Sequence, residues 1–180
     1  LPDRVNVLAD IGDAAILVTA GSHRTVIEDN TTTRTSDSAV SVDDSDGVTV
    51  RGNTLHLAGG AAIGLGGSDD ALVEDNDVRY NPGGIQLAGS HDAVIRGNDA
   101  RQTQADGISL ESSARNLLVG NLTNHTGGTG ISVEGEVLDV GNLLYKVKDV
   151  VLDVENENID IEDLVLDNIE DVVLDMEDLV

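Results

Sequence analysis

Six asparagines, Asn30, Asn53, Asn76, Asn98, Asn121 and Asn142, recur along the chain at intervals of 23, 23, 22, 23 and 21 residues. A fixed period of this size marks a solenoid, in which each repeat buries its apolar face only against its neighbours. The apolar residues keep the same beat. Val40, Ile63, Ile85, Ile108 and Ile131 are each followed two positions later by Val42, Leu65, Leu87, Leu110 and Val133. Such alternation describes a strand with one face inward, once per repeat. A further apolar column (Ile27, Val50, Val73, Ile95, Leu118) stands three residues before each of the first five asparagines, and a serine column (Ser22, Ser45, Ser68, Ser90, Ser113) stands eight before them.

A leucine-rich repeat has a similar length but wants several fixed leucines around its Asn, whereas these segments supply short Val/Ile/Leu pairs and Gly-rich corners. The pattern therefore predicts an all-β parallel β-helix of about five to six coils. Each coil would add one rung about 4.8 Å above the last, so that like residues stack on like. An inward Asn at a corner can then bond both backbone and the next Asn, satisfying groups that burial would otherwise leave unpaired.

Segments such as Gly84 to Asn98 (GIQLAGSHDAVIRGN) and Gly107 to Asn121 (GISLESSARNLLVGN) resemble the repeats of right-handed parallel β-helix proteins of the pectate-lyase-like superfamily, over about Ile16 to Asn142. The resemblance implies the right-handed fold and a loose association with carbohydrate, since that superfamily includes lyases, glycosidases, epimerases, tailspikes and adhesins. It also includes a copper-delivery protein, a role this chain suits least, with no Cys and one Met. Fold alone does not assign function.

The formal net charge is −24, from 34 acids against ten bases, of which only Lys146 and Lys148 are lysines. Nucleic acid is excluded as a natural partner by that balance. Heavy Asp use with almost no Lys reads as the surface of a salt-adapted protein whose self-repulsion is screened, and the competing reading is a surface that collects Ca²⁺. Phe and Trp are absent, so the core must be aliphatic, and without Cys there is neither a disulfide nor a thiolate site. No run reaches the roughly 18 to 20 apolar residues of a membrane span. The expected setting is extracellular or at the cell surface of a high-salt organism. The chain opens at Leu1, which suggests a piece excised from a longer protein.

The expected organisation is an N-terminal cap or partial coil over residues 1–15, the β-helix over 16–148, and an acidic C-terminal tail over 149–180. In the tail Ile161, Val165, Ile169, Val172, Met176 and Leu179 fall at helical spacing, while the β-branched residues and many aspartates favour short strands. Either form would cap the open end or pair with another chain. An outward apolar column, Val26, Thr49, Leu72, Val94 and Leu117, offers a second surface for self-association. Glu28, Arg51, Glu74 and Arg96 stand in one column with alternating sign and are expected to pin register.

Two places could carry chemistry. The third residue after each ladder Asn gives the outward column Thr33, His56, Arg79, Arg101, Asn124 and Tyr145, beside Arg34, Leu57, Tyr80, Gln102, His125 and Lys146. By the resemblance, His56, Arg79, Tyr80 and Arg101, with Asp77 and Asp99 nearby, would bind a polysaccharide along one sheet face. A lyase or epimerase would need a base there and a cation for the charge that develops; a glycosidase would need two carboxylates, for which Asp77 and Asp99 are candidates. No catalytic motif assigns a reaction. The other place is the corner after the serines, where Asp43, Asp44, Asp46, Asp69 and Asp70 form an oxygen-rich cluster suited to Ca²⁺. The rival to glycan binding is a non-enzymatic structural or adhesive solenoid that assembles with itself or with a larger surface protein. Asn30, Asn121 and Asn124 each begin an Asn-X-Thr triplet, and of these only Asn124 is expected to face outward.

Overall fold

The computed structural model describes residues 6–134 and the backbone of the short strand Leu152–Asp153. Three apolar positions per coil, separated by polar corners, fold as three short strands per turn, and every regular element among the described residues is a strand. The first sheet contains β1 (Val7–Ile11), β4 (Thr31–Thr35) and β7 (Thr54–His56). It continues upward through single parallel bridges, Thr54 to Asp77, Asp77 to Asp99 and Asp99 to Leu122. The second sheet is the longest: β2 (Ile16–Val18), β5 (Val40–Asp43), β8 (Ala61–Gly66), β10 (Gly83–Ala88), β12 (Ile108–Glu111), β14 (Ile131–Glu134) and β15 (Leu152–Asp153). The third comprises β3 (Val26–Glu28), β6 (Thr49–Arg51), β9 (Leu72–Glu74), β11 (Val94–Arg96) and β13 (Leu117–Val119). All pairs are parallel, and about six turns of a parallel solenoid result.

Register follows the sequence columns. Val40 pairs with Ile63, Ile63 with Ile85, Ile85 with Ile108 and Ile108 with Ile131, all of them buried. Ile27, Val50, Val73 and Ile95 stack in the third sheet, with Leu55, Val78 and Ala100 closing the core beneath the first. A narrow stacked interior suits branched aliphatics, which pack well on a pleated surface. The outward column Val26, Thr49, Leu72, Val94 and Leu117 alternates with these residues. Val26 is 54% exposed, and the other four are half-buried.

The corners need left-handed backbone, and each corner position repeats it from coil to coil. Arg34, Leu57, Tyr80, Gln102 and His125 all have φ between 56° and 63°, at the end of the first sheet. A non-glycine residue pays about 1–2 kcal/mol for this conformation. The corner bonds offset it. Asn53 shows the pattern: its backbone N–H donates to Asn76 Oδ1 at 3.0 Å, and its Nδ2 donates to that same oxygen at 2.9 Å and to the Ile27 carbonyl at 3.0 Å. The ladder is continuous from Asn6 through Asn30, Asn53, Asn76 and Asn98 to Asn121. At the serine corner, the amides of Ser22, Ser45, Ser68 and Ser90 each donate to the hydroxyl oxygen of the serine one coil on, at 3.0 to 3.1 Å. Asn142, Tyr145, Lys146 and the tail apart from Leu152–Asp153 lie outside the described residues.

Candidate functional site

On the outward face of the first sheet, the bridges that join Asp77 to Thr54 and to Asp99 set the acids one rung apart. Two residues beyond each acid, on the same face, come Arg79 and Arg101. A separation of two along a strand brings the side chains together. Arg79 Nε and Nη2 donate to Asp77 Oδ1 and Oδ2 at 2.8 and 2.7 Å, and Arg101 grips Asp99 with the same atoms at the same distances. The pairs are linked upward, with Arg79 Nε 3.4 Å from Asp99 Oδ2, and downward, with His56 Nε2 2.9 Å from Asp77 Oδ1. The His56 contact is close but not aligned as a hydrogen bond, and that nitrogen is buried. The order along the axis is His56, Asp77, Arg79, Asp99, Arg101, a single file over three rungs in which the two acids alternate with basic side chains.

Burial alone would raise the Asp77 carboxyl, but the Arg79 guanidinium, His56 and the Arg79 amide together hold it far below the usual carboxylate range. Asp99 is lowered first by its bond to Arg101, against a smaller opposing effect of burial. Both arginines are raised by their carboxylates. Tyr80 stands on the left-handed corner beside the file, 44% exposed. Its ring meets His56 edge-on at a centroid separation of 5.6 Å, and Arg79 Cζ lies 5.5 Å from its centroid. The structure thus brings together all six residues expected to bind glycan. It also engages both guanidinium forks with protein carboxylates.

Four more arginines are held by carboxylates, across rungs rather than along one. Arg34 pairs with Asp10, Arg51 with Glu28, Arg96 with Glu74 and Arg115 with Asp92, each arginine reaching the acid one rung before it. The alternating column expected to pin register does bond in the pairs Glu28–Arg51 and Glu74–Arg96.

At the acidic corner, carboxylates of one coil meet backbone amides of the next. Asp46 Oδ1 accepts the Asp69 amide at 3.0 Å, and Asp69 Oδ1 accepts the His91 amide at 2.7 Å. The histidines of the same column play the same part, His23 Nδ1 accepting the Asp46 amide at 2.9 Å and His91 Nδ1 the Ala114 amide at 3.0 Å. Asp43 receives the Ser41 hydroxyl at 3.2 Å, while Asp44 and Asp70 occupy left-handed corners. Among the described residues no group of three His, Asp or Glu side chains converges as a metal site would require. Of the five carboxylates, those of Asp46 and Asp69 are met by backbone amides of the next coil.

His23, Asp46, Asp69 and His91 stand at one position of successive coils, and what each accepts depends on the corner's backbone direction. Asn81 was missed altogether. It is fully buried, accepts the Ala58 amide at 2.8 Å and donates to the carbonyls of Leu55 and Val78. It has no counterpart asparagine one coil before or after, so periodicity could not reveal it.

A family model described as a right handed beta helix region matches residues 6–146. No curated protein matches the chain.

Proposed function

This chain belongs to the right-handed β-helix family, and we propose that within it the chain acts as a stiff structural or adhesive module at the surface of a salt-adapted cell. The observation that carries this reading is the state of the first-sheet face. Arg79 and Arg101, the cations best placed to meet an acidic sugar, are each held by a carboxylate through two bonds. Binding a uronate would have to break those pairs or rely on the remaining Nη1 atoms. Most other cations on the described coils are likewise held to the rung beneath. Such bonding favours a rigid rod whose ends and tail make the contacts, with another copy or a larger surface protein as partner.

A second reading keeps the polysaccharide on the His56, Asp77, Arg79, Tyr80, Asp99 and Arg101 face. The exposed Tyr80 ring favours it, because a fixed aromatic face is what a sugar ring stacks on. Screening neutral and uronate polysaccharides in high salt, with and without Ca²⁺, separates the two. The rod reading expects no retention by folded protein. Capture of a defined polymer that disappears in an Arg79→Ala, Arg101→Ala variant would replace it with the carbohydrate reading, and capture only with Ca²⁺ would direct attention to the Asp43, Asp44, Asp46, Asp69, Asp70 corner. Deleting residues 149–180 tests the tail: unchanged size in solution would remove it as a docking element.

A further inference from the structure

Three Asn-X-Thr triplets occur in the chain, beginning at Asn30, Asn121 and Asn124. Transfer of a sugar to such a triplet requires that both the Asn amide and the Thr two residues on reach a transferase. The fold separates the three. Asn30 is 6% exposed, and its Nδ2 and backbone amide both donate to Asn53 Oδ1. Its partner Thr32 points into the core and is 1% exposed. Asn121 accepts the amide and Nδ2 of Asn98 and donates to the Ile95 carbonyl at 2.8 Å, and its partner Thr123 is 6% exposed.

Asn121 is itself partly exposed, so what sets Asn124 apart is its bonding and its threonine. Asn124 and Thr126 are both partly exposed, in a turn of residues 123–130 around an open hollow of about 490 Å³. Among the described residues its Nδ2 has one hydrogen-bond partner, His125 Nδ1 at 2.7 Å, on a residue that is itself exposed. Thr126 Oγ1 donates to the Gly128 carbonyl within the same turn, away from the core. No ladder bond has to break for Asn124 to react.

We infer that Asn124 is the chain's acceptor for an N-linked glycan. In the transfer, Asn124 Nδ2 forms a bond to the anomeric carbon of a lipid-phosphate-linked oligosaccharide. The bond from that carbon to the phosphate oxygen breaks, the lipid phosphate leaves, and one amide proton is lost to the transferase. The position has a further meaning. The Asp99 to Leu122 bridge puts Asn124 in the column of His56, Arg79 and Arg101, one rung beyond Arg101. The sheet face that looks suited to hold sugar would therefore carry its own, covalently attached at one end of the charge file.

The test treats the folded, purified chain with an oligosaccharyltransferase and its lipid-linked donor, choosing an enzyme that modifies synthetic peptides of all three triplets, and maps occupancy by mass spectrometry. The same reaction on urea-unfolded chain, diluted into the assay, reports access without the fold. The expected result is one glycan on the folded chain, at Asn124, with Asn30 and Asn121 added only on the unfolded one, and no mass gain on folded Asn124→Gln. Modification of folded chain at Asn30 or Asn121 to the same extent, or sparing of Asn124 in folded chain that is modified when unfolded, would overturn the inference.

Discussion

A ladder asparagine serves three coils at once. Asn76 accepts the backbone amide and Nδ2 of Asn53, donates to the Val50 carbonyl at 2.9 Å, and donates upward to Asn98. Asn76→Ala would remove the acceptor of the buried Asn53 amide and the Asn76 donor to the Val50 carbonyl, and urea unfolding should report a loss on the order of 2–4 kcal/mol. A second residue-scale contrast concerns close approach of neighbouring coils. A Cβ at Gly84 would lie 2.0 Å from the Gly107 carbonyl oxygen, whereas at Gly89, with φ of +60°, it would meet nothing within 4 Å. Gly89→Ala should cost only the left-handed penalty of about 1 kcal/mol. Gly84→Ala must shift backbone, and its thermal midpoint should fall several times further. Of these roles, the asparagine was legible in sequence because its bond is to its own kind one period away. The Gly84 approach was not, because it depends on how two rungs nestle.

At the scale of the element, the charge file on the first sheet governs the response to acid. Asp77 and Asp99 are both held below the ordinary carboxylate value of about 4. A group depressed in the folded state contributes stability that is complete above its unfolded pKa and is lost as pH falls through the folded one. The melting temperature should therefore hold from neutrality to about pH 4 and decline below it, and the decline should be shallower in Asp77→Asn. Equal slopes in the two proteins would show that other carboxylates dominate. The strands of this face were only partly legible. Spacing placed Thr33, His56, Arg79, Arg101 and Asn124 in one column, but pairing of Asp77 with Arg79 and of Asp99 with Arg101 arises from a two-residue offset along the chain. A search for charges facing each other across rungs passes over that offset.

The whole molecule combines short-range pairing with a large negative excess. With a net charge of −24, repulsion among unpaired acids should be felt wherever salt does not screen it. The screening length shortens from about 10 Å at 0.1 M salt to about 3 Å at 1 M. Thermal scans in KCl across that range should show a rising midpoint, and a flat or falling series would argue against adaptation to salt. The solenoid itself was the most legible property, since four residue columns repeat in step over successive coils. The tail was the least, having two incompatible periodicities in the same residues.

The alternating column on the third sheet gives the rod two different periods. Geometrically the unit is one coil, since any rung stacks on any other. In charge the unit is two coils, because Glu28, Arg51, Glu74 and Arg96 alternate. Excising residues 53–75 would restack the ladder asparagines yet set Arg51 against Arg96. Excising residues 30–75 would instead bring Glu28 to Arg96 and restore an opposite pair. Lengthening or shortening of this rod is thus a matter of parity: even steps preserve its pairing, and odd steps leave a fault line of like charge that travels with the junction.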